Sequence, residues 1–248
     1  MAPCTLFTSA RPAGACPGWS LPSAAASRFP LDGSHLQRYA RVLSCVEINS
    51  SFYRSHQPAT YARWAASVPE HFRFSVKLPR SITHERRLRD CAAELERFVG
   101  EVMQLGNKLG CVLVQLPPSL RFDGDVAAAF FHALRQRFDG ILACEARHAS
   151  WFTADASELL TMLRITRVRA DPPAGQPGPH VPTTDIAYFR LHGSPTIYYS
   201  DYPADYLANL ATSLQEQAQA DSWCIFDNTA AGAALFNALD LQARLAKK

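Results

Sequence analysis

The 248-residue chain has no apolar run near the roughly 20 residues that a bilayer-spanning helix needs, and its start lacks the basic residues and unbroken apolar stretch of a secretory signal. Its seven cysteines (Cys4, Cys16, Cys45, Cys91, Cys111, Cys144 and Cys224) form no C-x-x-C pair and no regular spacing, which argues against a disulfide framework or a zinc knuckle. Charge of one sign is also scarce: charged residues make up 19% and the formal net charge is +3. That balance is far from the basic footprint of a protein that coats duplex nucleic acid. These absences predict a cytoplasmic protein with buried, reduced thiols, no membrane association and nothing that calls for a nucleic-acid partner. Internal repeats, low-complexity tracts and interdomain linkers are missing as well. Residues 1–248 therefore read as one domain, and a 48% hydrophobic chain of this length fits a single (β/α)₈ barrel.

What is present is alternation. Short β-rich runs at 44–49, 72–77, 111–116, 141–146, 165–170, 187–192 and 223–228 are separated by segments of helical period, the pattern of βα units on a parallel sheet. An eighth run, first in order, would have to come from CTLFTS (4–9), the weakest of the set. Ser34 and Asp123 are placed to cap helices, and Pro58 stands where a first helical turn tolerates proline. Helical patterns also fill 88–106, 154–164, 204–219 and 231–246. The Pro- and Gly-rich stretch 171–185 cannot be a regular crossover helix, so an irregular loop is expected between strands six and seven.

Barrel strands pack one parity against helices and turn the other inward. If Val46 and Ile48 face out, Glu47 and Asn49 face in, with Phe52 and Tyr53 just beyond. The same reasoning turns Arg73, Ser75 and Lys77 inward, then Gln115, Glu145 and Arg147, and then Tyr188, Arg190 and His192. The last strand ends in Asp227 and Asn228, and the sixth in Asp171. Each alone has a structural explanation: Glu47 or Glu145 as half of an internal ion pair, His148 or His192 as a hydrogen-bonded scaffold, Phe52, Tyr53, Trp64 and Trp151 as packing. Packing alone does not explain why so many strands end in inward-facing charge, which is where barrel enzymes keep their sites.

The ordered set VEINSSFYR, F-x-F-S-V-K-x-P followed by I-T-H, L-G-x-x-L-V-Q-L-P-P-S, E-A-R-H-x-S-W, Y-F-R-L-H-G and F-D-N-T-x-x-G-x-A-x-x-N-A resembles the YecE-like family, domain of unknown function 72. The resemblance runs from about residue 17 to the C-terminus. It implies a TIM-type barrel with an uncharacterised site, and its motif positions fall on Glu47, Asn49, Phe52, Tyr53, Lys77, His84, Gln115, Glu145, Arg147, His148, Arg190, His192, Gly193 and Asn228. No established reaction comes with it. The start departs from the family pattern: Gly18 and Trp19 keep the end of a Gly-Trp turn, while residues 1–16 are Pro-, Ala- and Ser-rich. Either CTLFTS supplies a proper first strand or residues 1–16 are irregular.

Arg147, Arg190, Lys77 and three histidines set against two glutamates predict a positive pocket for a small anionic ligand, phosphorylated or carboxylated. Glu47, Glu145, His148 and His192 are the candidate acid–base groups. Asn49, Phe52, Tyr53, Lys77, His84, Gln115, Arg147, Arg190 and Asn228 are the candidate ligand contacts. No motif names a cofactor. Three alternatives stay open. A metal-assisted phosphoesterase would use Glu47, Glu145, His148, His192 and Asp171. A non-catalytic binder of a ligand or nucleic acid would stack on Phe52, Tyr53, Tyr198, Tyr199 and Tyr202. A retaining glycosidase would need Glu47 and Glu145 about 5 Å apart, although they leave strands that are not neighbours.

Overall fold

Residues that alternate between a helix-covered face and an inner face demand a sheet that curves around its own interior. The computed structural model describes residues 9–12, 19–216 and 222–246. Among these the strands are β1 (Ser9–Pro12), β2 (Cys45–Ile48), β3 (Arg73–Lys77), β4 (Leu109–Gln115), β5 (Ile141–Glu145), β6 (Ile165–Arg167), β7 (Arg169–Asp171), β8 (Ala187–Leu191) and β9 (Ser222–Phe226). All pair in parallel, in a five-stranded sheet ordered β2-β3-β4-β5-β6 and a four-stranded sheet ordered β1-β9-β8-β7. The sixth β-rich run supplies both β6 and β7. It pairs with β5 up to Val168, whose N–H donates to the Cys144 carbonyl, and then turns to β8.

The helices are α1 (His35–Ala40), α2 (Pro58–Ala66), α3 (Ala92–Val102), α4 (Gly124–Arg137), α5 (Ala154–Met162), α6 (Ala204–Glu216) and α7 (Ala233–Leu245). Their starts follow the sequence chemistry. Ser34 accepts from the Gln37 N–H while the Gln37 side chain accepts from the Ser34 N–H, a reciprocal capping box. The Asp123 carboxylate accepts from the Val126 N–H at the head of α4, and Pro58 opens α2.

The two parities have separate cores. Val46, Ile48, Phe74, Val76, Val112, Val114 and Leu142 pack against helix residues such as Phe98, Phe131 and Leu134. The inner parity forms a smaller cluster drawn from both sheets, Cys45, Cys111, Leu113, Ala143, Val168, Tyr188, Trp223 and Ile225. The two concave faces thus meet over one apolar floor. Cys45, Cys91, Cys111, Cys144 and Cys224 are buried.

The expectation of a complete (β/α)₈ barrel is met only at a coarser level, as a parallel α/β fold. Among the described residues no ladder joins β1 to β2, so strand pairing does not close into a ring. The first strand described is Ser9–Pro12, and of CTLFTS residues 4–8 lie outside the described residues; the described strand ends in a proline, which has no N–H for a ladder. Between β7 and β8 there is no helix, as the Pro and Gly content predicts. That loop is tied down by buried Arg167, which donates to the carbonyls of Val181 and Trp151, and by Thr183 Oγ, which donates to the Ile165 carbonyl. Gly175 in the same loop has φ +67°, and a Cβ there would stand 2.3 Å from the Arg147 carbonyl oxygen, so only glycine lets the loop approach this closely.

Truncating a core helix residue removes apolar contacts without touching polar groups. Leu134→Ala in α4, fully buried, is expected to cost about 2–5 kcal/mol in urea unfolding. Met162→Ala, 65% exposed, should change stability by less than about 0.5 kcal/mol. Equal effects of the two would contradict the packing described.

Candidate functional site

The site grows from one side chain, Arg190 of β8, which is wholly buried. A guanidinium cannot shed its charge, so its donors need acceptors inside the protein. It donates from Nε to Glu47 Oε2 (3.1 Å), from Nη2 to Glu47 Oε1 (2.8 Å) and Asp227 Oδ2 (3.1 Å), and from Nη1 to Glu145 Oε2 (2.5 Å). The carboxylates come from β2, β5 and the residue after β9. Both sheets are therefore joined at their C-terminal ends through one cation.

Each carboxylate has further donors. Tyr188 OH donates to Glu47 Oε2 at 2.9 Å and lies 2.7 Å from Ser75 Oγ. Glu145 accepts from Gln115 Nε2 at 3.1 Å and from Arg147 Nε and Nη2 at 2.9 and 2.8 Å. His192 bridges the remaining gap, with Nε2 3.0 Å from Glu145 Oε1 and Nδ1 3.1 Å from Asp227 Oδ2. Ionised carboxylates only accept, so both ring nitrogens must carry protons and His192 is an imidazolium.

The protonation tendencies follow from this wiring. Burial alone would push Glu145 up, but Arg190, His192 and Arg147 together hold it well below the usual carboxylate range. Asp227 is lowered in the same way by Arg190 and His192 against the same burial penalty. Burial would lower His192, and the Glu145 and Asp227 carboxylates raise it instead. Lys77 goes the other way. Burial, reinforced by Arg190, outweighs Glu47, Asp227 and Glu145 and lowers its ammonium to about 8.

Lys77 also stands apart in its contacts. It is 5% exposed, and its Nζ donates no hydrogen bond to any described residue; it sits 4.1 Å above the centre of the Phe52 ring. Phe52 meets Tyr53 and His84 edge-on, each at 5.0 Å. His84 contacts Thr83 Oγ through Nδ1 and is lowered by burial and by the positive charge of Lys77, Arg147 and Arg80, so it is neutral at pH 7. Arg147 keeps Nη1 without a partner among the described residues, and 21% of its side chain reaches solvent.

Most residues singled out from the sequence are brought together here: Glu47, Gln115, Glu145, Arg147, Arg190 and His192 in the charge network, and Phe52, Tyr53, Lys77 and His84 beside it. Three behave otherwise than expected. Arg190, expected to grip a ligand, spends its donors on Glu47, Glu145 and Asp227. His148, expected as an acid–base group, caps the short helical turn Ala149–Phe152, its Nδ1 accepting from the Ser150 N–H. Asn228 donates to the Ser200 carbonyl and to Asn237 Oδ1, fastening the loop after β8 to α7. Asn49 is buried with its Oδ1 unpartnered. Asp227 was the residue missing from the sequence-based site, although the last strand visibly ends on it. Tyr53, Tyr198 and Tyr199 are exposed, whereas Tyr202 is buried, its OH accepting from the Gly193 N–H and donating to Asp171.

A catalytic metal needs several donors around one ion. Among the described residues no group of three or more His, Cys, Asp or Glu side chains is disposed to hold one, and the carboxylates close on a guanidinium. Arg190 likewise stands between Glu47 and Glu145, where a retaining glycosidase would place the sugar. No helix among the described residues is long and apolar enough to cross a membrane.

Comparison with known proteins gives consistent results. The model of a family described as "Protein of unknown function DUF72" matches residues 14–248. The chain is similar to the UPF0759 protein YecE of Escherichia coli K12, 30% identical over 145 residues, or 57% of this chain and 50% of the relative. It is also similar to the UPF0759 protein YunF of Bacillus subtilis, 31% identical over 124 residues, 48% and 44% of the two chains. The match thus spans about half the length of these curated relatives. Among solved structures, a DUF72 family protein (TM1631) from Thermotoga maritima matches with TM-score 0.73 and 28% identity, covering 87% of this chain and 92% of the other. A DUF72 family protein (EF0366) from Enterococcus faecalis shares the fold with TM-score 0.75 at 24% identity, over 87% and 89%.

Two outcomes follow from the charge network. Arg190→Met leaves three carboxylates facing one another without their shared cation, so the variant is expected to lose about 3–5 kcal/mol or fail to fold at neutral pH; a stability change under 1 kcal/mol would show that Arg190 is not the hub. His192 contributes through a raised pKa, so its stabilisation is complete below its ordinary value of 6.5 and is lost as pH rises through the folded value. Between pH 6.5 and about 8, where Lys77 is half-deprotonated in both proteins, wild type should lose stability relative to His192→Gln. Parallel curves of unfolding free energy for the two over that window would refute a protonated bridge.

Proposed function

The chain belongs to the DUF72 family of proteins of unknown function, and from that footing we propose that it is an enzyme using acid–base chemistry on a small phosphorylated or carboxylated metabolite. The ligand would lie at the C-terminal ends of the strands, in a (β/α)₈ barrel whose ring is completed by β1 approaching β2. The reading rests on one observation, the unpaired ammonium of Lys77. Arg190, Arg147 and the imidazolium of His192 match the three carboxylates Glu47, Glu145 and Asp227 charge for charge. Lys77 is left over. A buried cation without a hydrogen bond is costly, and an anionic ligand is the natural group to offset that cost.

Arg147 Nη1 provides a second donor for the anion, and the influence of both Lys77 and Arg147 on His84 supports their proximity. The acid–base roles shift accordingly. Glu145 is fixed as an anion by its partners and Glu47 is saturated by Arg190 and Tyr188, so neither is placed to give up or take a substrate proton. Lys77, lowered towards neutrality, and neutral His84 are the groups suited to that work.

Thermal unfolding with inorganic phosphate and a panel of carboxylated and phosphorylated metabolites tests the reading. A true ligand at a hundredfold excess over its Kd adds about 2.7 kcal/mol, a rise of several degrees in Tm. Lys77→Met is expected to fold, since it removes an unpaired charge, and to lose the response. The proposal fails if no anion stabilises wild type, or if Lys77→Met responds as strongly.

A further inference from the structure

We propose that Lys77 is the nucleophile of this site, its Nζ condensing with the carbonyl carbon of a small anionic aldehyde or ketone to form an imine; this rests on the anion-site reading above and names its substrate class.

The first support is how the chain spends its lysines. Of 25 Lys and Arg residues only four are lysine: Lys77, Lys108, Lys247 and Lys248. Cationic duty is given almost everywhere to arginine. Lys108 is used as a structural donor, with Nζ bonded to the carbonyls of Ala65 (2.9 Å) and Val68 (2.6 Å). Lys77 is the more buried of the two and makes no such bond to a described residue, and arginine would carry charge in that place as well. What lysine offers and arginine does not is an amine that can lose its proton and bond to carbon.

The second support is the setting. Nζ lies over the Phe52 face, which offers no hydrogen-bond acceptor of the ordinary kind, and the amine keeps a narrow exposure at the ends of the strands. The titratable groups bearing on it are Arg190, Glu47, Asp227, Glu145 and His84. Their sum with burial puts its ionisation near 8, so an appreciable share of free amine exists at neutral pH.

The chemistry balances without a further reagent. The Nζ lone pair forms a bond to the carbonyl carbon as the C=O π pair moves to oxygen, and the proton leaving nitrogen and one from solvent end on that oxygen. The oxygen departs as water when nitrogen closes the C=N bond. Amine, carbonyl and one solvent proton give protonated imine plus water, and the protonated imine is an electron sink for cleavage or deprotonation at the adjacent carbon. Arg147 would hold the substrate's carboxylate or phosphate.

The full chain is incubated separately with glyoxylate, pyruvate and glycolaldehyde phosphate in the presence of sodium cyanoborohydride, and the adduct is located by peptide mass mapping. With at least one of the three, Lys77 is expected to be reduced to a stable secondary amine at least tenfold faster than Lys108, Lys247 or Lys248. Its rate should rise with a midpoint near pH 8. Lys77→Arg should abolish the adduct. No adduct on Lys77, or one formed no faster than at the other lysines, overturns the imine proposal; if the anions still raise Tm, the anion site survives it. Loss of both responses in wild type overturns the two together.

Discussion

A guanidinium taken out of water must find acceptors for its N–H groups, and it cannot lower the cost by giving up a proton. Arg190 meets that demand with carboxylates from β2, β5 and the end of β9. The positions of those strand ends are thereby coupled to one another across two sheets. Tyr188, Gln115, Arg147 and His192 then follow as secondary consequences, because each carboxylate drawn inside has lone pairs left over that need donors of their own. The apolar inner cluster below, from Cys45 to Ile225, keeps water away from the network and so strengthens every charge pair in it.

That constraint decides which groups are free for chemistry. A carboxylate shared by two arginines and an imidazolium is a counter-ion, held well below the usual carboxylate range by those cations. Acid–base work on a substrate has to come from groups outside this closed set. Arg190 helps to create one: its fixed charge adds to burial in driving Lys77 towards the neutral amine. The structural cation and the reactive amine are therefore two sides of one electrostatic arrangement, the first fully paired and the second deliberately left unpaired by the fold.

The strands, the caps at Ser34 and Asp123 and the absence of a helix between β7 and β8 were legible because each depends on local chemistry: alternation, a side-chain acceptor, proline and glycine. Parity also found the right inward-facing residues. It did not reveal what they face. Arg190 reads from sequence as a ligand clamp because a strand pattern shows direction without partners, and only three-dimensional closure brings Glu47 and Glu145, from non-neighbouring strands, onto the same guanidinium. Its donors point the other way, since an inward arginine in mid-strand carries five N–H groups that burial obliges it to satisfy within the protein, and Asp227 stands just after β9. His148 misled for a different reason. Its position after an inward Glu-x-Arg suggests a pocket, but the chain turns at once into a short helix whose Ser150 N–H it caps. In the described part of the first strand, Ser9–Pro12, there is no alternation for parity to read, and its ladder partner is β9.

The surplus charge at Lys77 attracts an anion, yet an anion resting directly on Nζ would favour the ammonium and suppress the amine. The two roles are compatible only if the anionic group and the reacting carbon are held by different residues. Arg147 supplies that separation: two of its nitrogens are fixed by Glu145, which sets the plane of the guanidinium, and the third is left to meet a ligand. An anion docked there is already satisfied by a permanently charged partner, so it perturbs Lys77 less than direct contact would. The network that holds the strand ends together thus also fixes where a substrate's charge can sit, and through that, how far the lysine beside it can remain uncharged.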